Sequence, residues 1–116
     1  MQFVGLDVHL KSISACIMDE AGNVQAERKI NNNPEEFDKL LAYVDKDSSK
    51  FTVEACSCWE YVYDYLTEAG YSVVLANPSR IGLIAKSKKK TDKADAKILA
   101  NLLRTNTLPD TQPRHT

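Results

Sequence analysis

The seven residues QFVGLDV at 2–8 constrain this chain more than any other stretch. In an extended strand they put Phe3, Gly5 and Asp7 on one side and Val4, Leu6 and Val8 on the other. A strand that is apolar on both sides has to be covered on both sides, which places it at the centre of a sheet between layers of helix. Asp7 then stands near the end of a central strand, where an acid is seldom buried without a partner. Two readings follow. Asp7 is either a strand-end residue bonded to backbone N–H groups or a carboxylate kept there for chemistry.

The next segments build a sheet around that strand. Lys11 to Asp19 alternates Ile13, Ala15 and Ile17 against Ser12, Ser14 and Cys16, the pattern of a half-buried strand. Gly22 and Asn23 mark a turn, and Val24 to Ile30 reads as the returning strand of a meander. Pro34 opens a helix whose apolar positions Phe37, Leu40, Leu41 and Val44 recur at helical spacing. Lys50 to Ala55 is a second central strand, with Glu54 at its end. Cys58 to Ala69 carries the stripe Trp59, Val62, Tyr63 and Leu66 and stops at Gly70, and Tyr71 to Ala76 is a fifth strand. A short helix from Ser79 to about Ala85 and a longer one after Thr91 complete the order βββαβαβαα. This is an α/β fold: a mixed five-stranded sheet, the fourth strand beside the first, with helices on both faces. In such a sheet the crevice lies outside the carboxyl ends of the strands, where Asp7 and Glu54 stand.

The last helix adds two more acids. At 100° per residue Ile98, Leu99, Leu102 and Leu103 span an arc of about 140°, and Asp92 and Asp95 fall within the same arc. Acids in a first turn also favour the helix dipole, so this pair alone decides nothing. The charge distribution adds weight: residues 1–79 carry six Lys or Arg against thirteen Asp or Glu, whereas residues 80–104 carry eight against two. The acid pair thus sits in a basic setting of Lys86, Lys88, Lys89, Lys90 and Lys93, which suits a polyanionic partner. If Asp7, Glu54, Asp92 and Asp95 share one pocket, like charges about 6 Å apart repel by roughly 2.8 kcal/mol per pair at an effective dielectric of 20. Protonation or a divalent cation must relieve that repulsion, and oxygen-only donors select Mg²⁺ or Mn²⁺. Lysines on the backbone and metal-bound carboxylates together fit phosphodiester chemistry. His9 reads equally as a substrate contact or a solvent-facing residue.

Cys16, Cys56 and Cys58 form neither a disulfide framework nor a zinc-ligand pattern, so reduced thiols in a cytoplasmic protein are expected. No apolar run reaches membrane-spanning length.

Four stretches, GLDVHLK at 5–11, VEA at 53–55, LANPSRI at 75–81 and above all KTDKADAKILA at 90–100, resemble the N-terminal domain of the DEDD transposases of the insertion-sequence 110 group, which includes Piv-type DNA invertases. The resemblance implies a RuvC-like (RNase H-like) catalytic domain over residues 1–105 and a frayed tail over 106–116. It implies Asp7, Glu54, Asp92 and Asp95 as a Mg²⁺- or Mn²⁺-binding catalytic tetrad acting on DNA in recombination, with Lys90 and Lys93 close to the nucleic acid. Some members of that family are guided by a structured RNA, so RNA is a second expected partner, and self-association is expected as well. The family's second domain, which looks like the source of a serine nucleophile, has no counterpart in these 116 residues. The alternatives are a free-standing RuvC-like junction nuclease and a non-catalytic nucleic-acid-binding fragment that pairs with a full-length transposase. A sugar-kinase or actin-like ATPase is disfavoured, because GLDVHLKS at 5–12 lacks the glycine and hydroxyl pattern that cradles phosphate.

Overall fold

The computed structural model describes residues 1–54, 59–76 and 92–105, the side chains of 92–95 excepted. The short helix expected at 79–85, the lysine cluster at 86–90 and the tail at 106–116 lie outside the described residues. The elements run β1 (Gln2–Val8), β2 (Ser12–Met18), β3 (Val24–Asn31), α1 (Pro34–Leu41), β4 (Ser49–Glu54), α2 (Trp59–Glu68), β5 (Val73–Ala76) and α3 (Asp92–Arg104). They form a mixed five-stranded sheet in the order β3-β2-β1-β4-β5. The β1–β2 and β2–β3 pairs are antiparallel, and β4 lies parallel to both β1 and β5. The doubly apolar strand β1 is therefore central, as its sequence requires.

Local chemistry sets most boundaries. The β2–β3 turn is tied by Asp19, whose Oδ1 accepts from the backbone N–H groups of Ala21 (2.9 Å) and Asn23 (2.8 Å), while Gly22 takes φ +92°. The Asn23 amide is the main reason the Asp19 carboxyl is held below its ordinary pKa. Asn33 caps α1 by accepting from the Glu36 amide at 2.8 Å, with Pro34 behind it as the first helical residue. That helix ends at Leu41, earlier than the apolar spacing through Val44 suggests. A turn takes over, and Asp45 caps a single 3-10 turn at Lys46–Ser48. Gly70, at φ +93°, closes α2; the Tyr71 amide then donates to the Leu66 carbonyl at 2.9 Å, so β5 begins only at Val73.

The two faces of the sheet are packed unequally. On one, Val4, Leu6, Ile13, Ile17, Phe51 and Val53 meet Phe37 and Leu40 of α1 and Val62 and Leu66 of α2 in the main core. On the other, α3 lies on β1, β2 and β4 with small residues: Ala96 and Ala100 against Cys16 and Met18, and Leu99 and Leu102 with Ala76. Because α3 covers that side, β2 is buried on both faces from Ile13 to Met18 rather than half-buried. Burial pushes the Cys16 thiol up to about 11, with the Glu27 carboxylate reinforcing the shift and Lys97 opposing it.

The closest approach is at Gly5. A Cβ there would run into the carbonyl oxygen of Ala96 and lie 2.6 Å from the Ala100 amide nitrogen and 3.0 Å from Leu99 Cβ. Helix and strand touch backbone to backbone, so neither can retreat by a rotamer change.

Gly5→Ala should therefore destabilise the chain by about 1–3 kcal/mol or more in urea unfolding, as overpacking does. Unchanged stability would show that α3 can slide. The folded state keeps the Cys16 proton to higher pH than the unfolded chain, so stability should fall as pH rises from 9.0 towards about 11. Cys16→Ala should flatten part of that decline in pH-dependent denaturation curves.

Candidate active site

Register brings the strand-end acids together. Asp7 of β1 pairs with Ser14 of β2, and Leu6 pairs with Val53 of β4; one residue further along each of these parallel strands stand Asp7 and Glu54. Glu54 in turn pairs with Ala76 of β5. Side chains alternate along a strand, so Asp7 and Glu54 lie on the face that carries Gly5 and Thr52, the face covered by α3. Neighbouring strands are about 4.8 Å apart, which makes these two acids adjacent across the sheet.

The direction of α3 follows from its contacts. Ala96 and Ala100 lie over Gly5, while Arg104, at the helix C-terminus, packs on Gly22 in the turn beyond β2, beside the start of β1. The Arg104 Nη1 also donates to the Glu20 carbonyl at 3.5 Å. The helix thus runs against β1, and its N-terminus heads for the carboxyl end of that strand. From the crossing near position 98, residues 95 and 92 lie roughly 4.5 and 9 Å along the helix at 1.5 Å per residue. Asp7 lies about 7 Å along β1 from Gly5. The helix backbone at Asp92 and Asp95 accordingly reaches the level of Asp7. Lys93 is in the same turn of α3, and Lys86, Lys88, Lys89 and Lys90 lie outside the described residues.

Asp7 is buried, its side chain only 6% exposed, and Nε2 of His9 donates to its Oδ2 at 3.0 Å. Glu54 is half-buried. His9 is the residue that the sequence reading underrated. It sits in the short β1–β2 connection, two residues after Asp7, and that spacing returns a side chain to the same face. The connection is held in shape: the His9 amide donates to the Ser12 carbonyl (2.8 Å), Asn32 Nδ2 to the His9 carbonyl (2.9 Å) and the Asn32 amide to the Lys11 carbonyl (3.0 Å). Among the described residues no three His, Cys, Asp or Glu side chains form a metal-holding group; Asp92 and Asp95 fall outside that set.

Comparison with known proteins adds a family. Residues 4–116 match the model of the DEDD transposases of IS110 type, described as a transposase. The chain is 30% identical over 109 residues to the transposase for insertion sequence element IS1533 of Leptospira borgpetersenii. That alignment covers 88% of this chain and 30% of the relative, so the chain spans about a third of that protein's length. Among solved structures, T. thermophilus RuvC in complex with Holliday junction substrate superposes with a TM-score of 0.61 at 13% identity, over 96% of this chain and 99% of that one. The likeness shows a RuvC-like, RNase H-like fold.

The geometry around His9 makes one prediction independent of any ligand. Asn32→Ala should cost about 1 kcal/mol and speed amide exchange across residues 9–11, since the loop loses its clamp. Exchange rates equal to those of the parent chain would refute the clamp.

Proposed function

The chain belongs to the DEDD transposase family, and on that premise we propose that it is the metal-dependent catalytic domain through which such a protein cuts and rejoins DNA strands. The observation that carries this reading is the adjacency of Asp7 and Glu54 at the carboxyl end of two parallel strands, with the first turn of α3 brought to the same end. RuvC-like nucleases of the DEDD kind generally depend on a divalent metal. The donor set fits one: Asp7, Glu54, Asp92 and Asp95 offer hard carboxylate oxygens, which suit Mg²⁺ or Mn²⁺ and not a thiolate-seeking ion. The one described cysteine on this face, Cys16, keeps its proton at neutral pH and competes for nothing.

When bound, a divalent ion supplies charge neutralisation at the phosphate and a more acidic attacking water. The chain's own residues do the rest. Asp7 and Glu54 set the position of the site from the sheet, His9 orients the Asp7 carboxylate through its hydrogen bond to Oδ2, and the lysines of 86–93 are assigned to the phosphate backbone. DNA is the substrate we assign, with a structured RNA and a second copy of the chain as further partners that the family resemblance motivates. We assign residues 1–105 as the catalytic unit of a longer composite site, working in the cytoplasm. No helix among the described residues is long and apolar enough to cross a membrane.

Titration calorimetry with Mn²⁺ tests the proposal. The parent chain should bind the ion, and Asp7→Asn, Glu54→Gln and Asp92→Asn should each weaken binding at least about tenfold, the range seen when metal-site groups are lost. Parent-like affinity in all three variants would sink the reading.

A further inference from the structure

The register that joins Asp7 to Glu54 continues in the other direction to a lysine. Asp7 pairs with Ser14, and Ser14 pairs with Lys29 of the edge strand β3, so Lys29, Ser14, Asp7 and Glu54 form one row across the α3 face of the sheet. Two strand spacings separate Lys29 from Asp7, about 10 Å. Beside this row the sheet is open: a cleft of about 230 Å³ runs between β3 and α3, lined by Ser14, Cys16, Glu27, Lys29 and Ala96. Lys97 follows Ala96 on α3 and acts electrostatically on Cys16 in the cleft floor.

The charges in this cleft are ordered. Lys29 and Lys97 are both exposed, and neither takes part in an ion pair among the described residues. Glu27 pairs with Cys16, one row further from the strand ends, and Lys97 acts on that same Cys16, so Lys29 is the cation of the row that holds Asp7. Arg28 also lines the cleft, but its guanidinium lies 4.9 Å from the Tyr43 ring centre. Exposed ammonium groups on and beside a cleft whose row leads to Asp7 suit the phosphates of a nucleic-acid backbone.

We infer that the α3 face of β2 and β3 is a DNA-backbone subsite, in which Lys29 and Lys97 hold phosphates of the strand whose reacting phosphate lies at Asp7 and Glu54. The inference rests on the proposed reading of those acids as the reacting centre. At 3.4 Å of rise per nucleotide, Lys29 meets the backbone within about three nucleotides of that centre. This makes Lys29 a determinant of which segment of DNA is drawn across the acids.

Equilibrium binding of a fluorescently labelled branched DNA to the full chain, measured from about 50 to 200 mM salt, tests it. Lys29→Ala should weaken binding roughly three- to tenfold and lower the slope of log K against log salt by about 0.9, one phosphate contact, whereas Lys29→Arg should keep both near the parent values. Lys39→Ala, an exposed lysine on α1 across the sheet, should leave the slope unchanged. The inference is overturned if Lys29→Ala keeps the parent slope, if Lys39→Ala matches its loss, if the chain binds no DNA, or if Lys29→Ala weakens binding of RNA of the same sequence but not of DNA. A chain that binds no DNA defeats the DNA reading together with the subsite; the other outcomes, with Mn²⁺ binding still lost in Asp7→Asn, defeat the subsite alone. Parent-like Mn²⁺ affinity in Asp7→Asn, Glu54→Gln and Asp92→Asn defeats the reacting centre and the subsite together.

Discussion

Helix α3 and strand β1 meet without side chains between them at Gly5, and every other feature of the α3 face depends on that contact. A methyl group there would meet the Ala96 carbonyl and the Ala100 amide, both fixed by the helix's own hydrogen bonds. The helix is therefore seated at one height on the strand. With Arg104 docked on the Gly22 turn at its far end, α3 has one direction as well as one height. A helix so fixed carries the backbone of Asp92 and Asp95 to the strand end where Asp7 and Glu54 stand. Preorganisation of a charged site has to be built into the backbone in this way, because carboxylates that repel one another will not assemble themselves.

The unequal packing of the two faces serves the same end. The α1 and α2 side holds the large apolar residues, Phe37, Phe51, Leu6 and Leu66, and supplies most of the hydrophobic burial. The α3 side meets the sheet through alanines, Cys16 and Gly5 over β1 and β2, with Met18, Leu99 and Leu102 beside them, and among the described residues β3 stays largely exposed. Beneath this thin layer Asp7 is kept out of bulk water. Burial of a carboxylate is costly without a partner, and His9 is one partner the structure provides. The same thinness opens the cleft beside Lys29, which a bulkier helix face would fill.

Much of this was legible in the residues themselves. The strand β1 announces its central place through apolar groups on both sides, and Gly22, Pro34 and Gly70 mark boundaries because each has a backbone property no other residue shares. Periodicity failed where a distant element decides. The β2 strand reads as half-buried because Ser12, Ser14 and Cys16 are small or polar, yet α3 covers that face. Apolar spacing runs α1 on to Val44, but Asp45 and the turn after Leu41 end it sooner. His9 looked ambiguous because a hydrogen bond to Asp7 depends on the shape of the hairpin loop, and that shape is set by Asn32, some twenty residues away.

The sequence by itself determined a doubly apolar central strand, acids at the ends of two such strands, two more at the start of an amphipathic helix, and the family that those motifs resemble. These are local facts, written in residue type and spacing. The tertiary structure alone decided the register that sets Lys29, Ser14, Asp7 and Glu54 in one row, the direction of α3 across the sheet, and the cleft left open beside it. Register and helix direction come from contacts between segments tens of residues apart. Their energies belong to pairs of surfaces and not to any one stretch of chain, which is why no single window of sequence contains them.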